Sequence, residues 1–213
     1  MPAPSSIVDL RKLLAERFPQ RSTPAATVLR SGIASLDQIS GGGLPKSGIT
    51  ELISPQINAG SASLIHALVQ SAHQANEFVA LIDGRDSFDP SGLINSCLHR
   101  LLWVRCQRAF DAVKAADLLL RDGNFPRVIV DLVLNPPEEL RKIPQTSWYR
   151  LQRLVEAVPT ACLVMTRQSV VSSAQLKLVL ETQWSLESLE NENATARLRF
   201  RVRRAHLKSE MSD

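Results

Sequence analysis

A chain of 213 residues is long enough for one domain, or for one domain with short appendages. Hydrophobic residues make up 44%, charged residues 22% and aromatics only 5%, an ordinary globular mixture whose core should be aliphatic. The formal charge of +4 allows contact with nucleic acid without demanding it. No apolar run approaches the roughly 18 residues of a membrane helix. Arg11, Lys12, Glu16 and Arg17 interrupt any apolar signal core, so no membrane association and a cytoplasmic location are expected.

Residues 5–18 predict a short amphipathic helix, because Ile7, Leu10, Leu14 and Phe18 recur at helical spacing. Ser5 or Ser6 can cap its start and Pro19 ends it. Residues 19–31 are polar, contain Pro19 and Pro24, and read as an extended linker, so residues 1–30 form a helix-and-linker appendage. The helix either packs on its own domain or docks on a neighbour as a partner helix; the sequence leaves both open. The expected core, 31–206, then alternates. Strands are predicted at 49–53, 78–83, 101–105, 127–134 and 160–166. Helices are predicted at 61–75, 89–100, 107–122 and 146–157, the second of them starting on Asp89-Pro90, with Pro136-Pro137 as a stop between strand and helix. Continuous apolar strands separated by helices indicate a mostly parallel sheet covered on both faces.

The end of the chain changes character. Residues 196–204 alternate, with Leu198, Phe200 and Val202 to one side and Arg197, Arg199, Arg201 and Arg203 to the other, which predicts a half-buried strand with a basic outer face. Residues 182–190 are expected to pair with it as a hairpin turning at Asn191-Glu192-Asn193, and residues 207–213 to form a frayed tail. The arginine face is the candidate nucleic-acid or partner surface; the plainer alternative is a solubilising edge that discourages aggregation. Cys97, Cys106 and Cys162 stand in apolar contexts without a CxxC or Cys/His pattern, as buried free thiols do. His66, His73, His99 and His206 are dispersed, and no metal site is expected.

The most specific segment is 32–55. A helical piece, Ile33 to Ile39, runs into Gly41-Gly42-Gly43, then Leu44-Pro45-Lys46-Ser47-Gly48, then a strand that turns at Ser54-Pro55. This strongly resembles the lead-in to the ATPase core of the RecA/RadA recombinase family. Ser31, Gly32, Leu36, Asp37, Gly41, Gly42, Gly43, Leu44, Pro45, Gly48, Glu51 and Pro55 match that family's run in register. In the family the phosphate loop follows at once, G-x-x-x-x-G-K-[ST]. Its backbone N–H groups cradle phosphates, its lysine neutralises them and its hydroxyl holds magnesium. Here Ser54 replaces the first glycine, and the lysine position holds Gly60, or Ser61 if one residue is inserted. Ser54, Pro55, Gly60, Ser61 and Ser63, with Asp131, are the candidate degenerate nucleotide-binding residues. A helix N-terminus remains for weak anion binding, with Lys46 or a neighbour's arginine as a substitute cation, so ATP and magnesium are implied only weakly and no cofactor is assigned.

Leu81 to Pro90 resembles the family's "F-I-D-A-E-x-x-x-D-P" run, but Arg85 stands where the glutamate orients the attacking water, and Asp86 follows it. Val128-Ile129-Val130-Asp131 resembles the Walker B strand, so Asp131 matches the magnesium-associated aspartate; the alternative is a strand-end carboxylate capping the next turn. Arg167 and Gln168 fall near the family's sensor and DNA-binding loop. The resemblance implies an α/β, RecA-type P-loop NTPase fold with a mostly parallel sheet, helices on both faces and a C-terminal β-hairpin.

Among such proteins the short chain is similar to the ImuA family, RecA-related and SulA-related accessory proteins of a bacterial mutagenesis complex. The residues that carry this are Gly41-Gly42-Gly43 leading to Leu52, then Gly60-Ser61-Ala62-Ser63-Leu64, Leu102-Trp103-Val104-Arg105 and Arg150-Leu151-Gln152-Arg153-Leu154. It implies a non-catalytic scaffold in the DNA-damage response that binds RecA or a Y-family polymerase-like protein, with DNA contact and homo-oligomers compatible. The alternatives are an unorthodox DNA-dependent ATPase or recombinase, and an SOS division inhibitor.

Overall fold

The computed structural model describes residues 28–56, 59–182 and 197–205. The predicted helix bearing Ile7, Leu10, Leu14 and Phe18, residues 183–190 of the expected hairpin and the 207–213 tail lie outside the described residues. In chain order the elements are β1 (Val28–Leu29), α1 (Ala34–Ile39), β2 (Leu44–Pro45), β3 (Gly48–Ile53), α2 (Ser61–Gln74), β4 (Val79–Asp83), a 3-10 turn (Pro90–Gly92), α3 (Asn95–Leu98), β5 (Leu101–Arg105) and α4 (Ala109–Asp122). They continue with β6 (Arg127–Asp131), α5 (Pro137–Lys142), α6 (Gln145–Glu156), β7 (Ala161–Thr166), β8 (Leu176–Leu180) and β9 (Phe200–Ala205).

Seven strands form one sheet in the order β5-β4-β6-β7-β3-β8-β9, all parallel except the antiparallel β8–β9 pair, and β1 and β2 form a separate small ribbon. The apolar runs are buried because each strand feeds two cores by simple alternation. Leu52, Leu81, Ile129, Leu163 and Leu178 face a core closed by α1, α2 and α3, with Leu64, Ile65 and Leu68 of α2 on its floor. Ile49, Ile82, Val130 and Val164 face the opposite core, closed by Ala112, Ala116 and Leu120 of α4, Leu140 of α5, and Trp148, Leu151 and Val155 of α6. All three cysteines are buried and free.

One charged side chain crosses the first core. Arg127 of β6 is 1% exposed. Its guanidinium donates to the carbonyls of Leu68 (2.8 Å) and Arg30 (3.1 Å) and lies 3.5 Å from Glu77, tying the start of the domain to α2. Asp37 of α1 accepts from the backbone N–H and the hydroxyl of Ser31, so two residues of the 31–55 signature serve to fix that corner. Gly43, at φ +149°, sits against the backbone of Leu29 where any Cβ would collide, so the β1–β2 ribbon depends on it.

Several predicted elements are corrected. The helix expected at 89–100 is a 3-10 turn followed by the short α3, because the Asp89 carboxylate accepts from Ser91 N–H and closes a tight turn instead of starting a long helix. Pro137, read as a stop, opens α5 at a first-turn position where a missing N–H costs nothing. The strand expected over 127–134 ends at Asp131, where the chain turns. The basic strand begins at Phe200 and pairs with β8, a strand the sequence reading did not assign.

Candidate functional site

The candidate residues collect at the carboxyl edge of the parallel strands, the edge where open α/β sheets place ligands. β3 runs into Ser54, which is fully buried. Its N–H donates to Thr166 O (2.7 Å), at the end of the neighbouring β7, and its hydroxyl donates to Gln56 O (3.1 Å). Ser54 is therefore a turn-forming residue closed on its own backbone. Pro55 and Gln56 are exposed. Gly60 adopts the left-handed conformation (φ 95°) and starts α2 with no side-chain cap, and no acidic residue lies in the first turn, which also holds Ser61 and Ser63. Lys46 does not come to this loop. It precedes β3, and the six residues of that strand separate it from Ser54 by roughly 20 Å.

Asp83 and Asp131 end adjacent strands and are direct register partners. The Asp83 carboxylate accepts from the N–H groups of Ser87 (2.7 Å), Phe88 (2.7 Å) and Arg85 (3.2 Å) and from the Ser87 hydroxyl (3.3 Å), so it organises the whole 84–88 loop. In the sequence it is legible only as a strand end. Asp131 accepts from Val133 N–H at 3.0 Å, the geometry of a turn cap. Desolvation, with the charge of Asp83 adding to it, pushes its carboxyl up to about 6 against the pull of that one hydrogen bond. The Arg85 guanidinium donates to Gln107 O (3.1 Å). Asp86, at φ 54°, forms a two-pronged pair with Arg105 on the edge strand, and that hydrogen bonding holds its carboxyl below the usual range. Among the described residues no group of three His, Cys, Asp or Glu is placed to hold a metal ion.

A second buried constellation was missed. Glu51, in the middle of β3, is 0% exposed. Its carboxylate takes Lys177 of β8 (2.7 Å), the Ser169 hydroxyl (2.9 Å) and the N–H groups of Val170 (2.6 Å) and Val171 (2.8 Å). The signal was present, since a glutamate amid an otherwise apolar strand needs a buried partner. Arg167 and Gln168 lie just before this clamp and are half-buried.

Arg197, Arg199, Arg201 and Arg203 are all exposed. Arg201 pairs with Glu181 and shares a depression with Pro55, Gln56, Val179 and Thr182, so the structure brings the basic strand beside the turn after β3. Asp131 is not part of that depression; β7 stands between its strand and β3.

No family model matches the chain. It is similar to several curated proteins named Protein RecA: 33% identical over 119 residues in Chlamydia abortus (54% of this chain, 34% of that protein), 31% over 124 residues in Chlamydia felis (56% and 35%) and 29% over 105 residues in Picosynechococcus sp. (48% and 30%). The matched part spans about a third of the length of these relatives.

Proposed function

We propose that this chain, whose membership of the RecA superfamily those partial matches support, is a non-catalytic accessory protein of the ImuA kind. It has a RecA-type α/β fold and acts in bacterial damage-induced mutagenesis by binding other proteins. One observation carries the reading: among the described residues, the side chains of Ser54, Asp83, Asp131 and Arg85 at the carboxyl edge are hydrogen-bonded within the fold. Ser54 closes its own turn, Asp83 is saturated by three N–H groups and a hydroxyl, Asp131 caps Val133, and Arg85 reaches Gln107. These residues do not fit Mg–ATP. The loop offers no lysine for the phosphates, and Lys46 lies at the far end of β3. The bare N-terminus of α2 remains a weak anion site at most.

A protein that acts through its surfaces is indifferent to the loss of Asp131's charge. Deletion of the gene should lower damage-induced mutation, and a copy carrying Asp131→Ala should restore it to the wild-type level. An Asp131→Ala copy that fails to restore mutagenesis while accumulating normally would contradict the proposal. A division block on overexpression without any mutagenesis defect on deletion would favour the division-inhibitor alternative instead.

A further inference from the structure

Among the described residues, β9 forms one edge of the sheet. Its backbone is divided between two sides. Glu181 N–H donates to Arg199 O (2.9 Å) and Arg199 N–H donates to the Thr182 hydroxyl (3.0 Å), so Arg199 turns both backbone groups inward, toward β8. Along an antiparallel strand successive residues alternate in this respect. Phe200 and Val202 therefore present their N–H and C=O groups to the open edge, and among the described residues no strand lies beyond them.

The side chains on this edge state what it will accept. Arg199, Arg201 and Arg203 are exposed, and Arg199 and Arg201 stand on one face of the strand, about 6.6 Å apart. Arg201 is met by Glu181, just after β8 in the same chain, which shows the kind of group that satisfies this face. A second copy of the same edge would set arginine against arginine, at a cost of up to about 1 kcal/mol for each opposed pair. A strand with carboxylates at alternate positions would reverse each of those contacts.

We propose that the open edge of β9 takes an extended acidic segment of a partner protein as an added strand. Its backbone would pair with Phe200 and Val202, and its alternating carboxylates would meet Arg199 and Arg201. The proposal names the partner chemistry for the protein-binding reading above. It fails separately from that reading, since ATP turnover by the chain would remove the reading and leave the edge untouched.

The test is fluorescence anisotropy on the full chain, with a labelled peptide of about ten alternating Glu and Thr residues. The comparison probes are the same peptide with Pro in place of Thr and an oligo-dT strand. The Glu/Thr peptide should bind, and Arg199→Glu with Arg201→Glu should weaken it by about tenfold or more. Val202→Pro deletes an outward N–H that the β8 ladder does not use, and so should abolish binding with little change in melting temperature. The Glu/Pro peptide should bind poorly at equal charge. No binding by the Glu/Thr peptide, or equal binding by the Glu/Pro peptide, overturns the proposal. So does arginine-dependent binding of oligo-dT alone.

Discussion

Asp83 and Asp131 are the same residue type at the same height of adjacent strands, yet their surroundings separate them. Asp83 receives three backbone N–H groups, whereas Asp131 receives one and sits beside the Asp83 charge. The folded-state value of about 6 for Asp131 lies above the unfolded value of about 3.9. The folded protein therefore binds this proton more tightly than the unfolded chain. The resulting stabilisation is complete below about pH 4 and is lost as the pH rises through 6. Asp131→Asn carries no charge to desolvate and keeps an oxygen for Val133 N–H. Its stability should be flatter than wild type between pH 4 and 6 and higher at pH 7 by about 1–3 kcal/mol. Urea unfolding across that range measures the difference; parallel curves for the two proteins would show that Asp131 is not strained in this way. The Asp131 strand was legible as a Walker B-like run, but a carboxylate's partner cannot be read from a one-dimensional pattern, and neither could the three N–H groups on Asp83.

At the scale of elements, the buried parallel strands were legible because both faces of β3, β4, β6 and β7 are covered, so each reads as a mainly apolar run, broken in β3 by Thr50 and Glu51. β8 was not, since Lys177 interrupts it and the Glu51 that Lys177 meets lies in β3, with four other strands between them in sequence. Residues 89–100 misled because a good cap sequence also serves a tight turn. The Glu51–Lys177 pair is the tie that holds the segment after β7 against the sheet. Lys177→Met leaves the Glu51 charge buried without its cation and should cost about 3–5 kcal/mol, with Glu51→Gln in the same chain recovering much of the loss. Denaturation midpoints of the single and double variants check this. A single variant within 1 kcal/mol of wild type would mean that Ser169, Val170 and Val171 alone satisfy the carboxylate.

Across the whole molecule the sheet order decides which candidates can cooperate. β3 lies between β7 and β8, so the loop at Ser54 faces the Arg201 strand on one side and is separated from Asp131 by β7 on the other. Lys46, near in sequence, is removed to the opposite end of β3. The signature from Gly32 to Pro55 made the framework readable because its glycines and Ser31–Asp37 contacts are local; the fate of the site was not, because it depends on where separate strand ends meet. The proposal that these strand ends hold the fold and do not turn over nucleotide is tested most directly by steady-state ATP turnover of the full chain with and without single-stranded DNA, for wild type and Asp131→Ala side by side. Both should stay at the background rate under both conditions. DNA-stimulated turnover in the wild type that disappears in Asp131→Ala would contradict it.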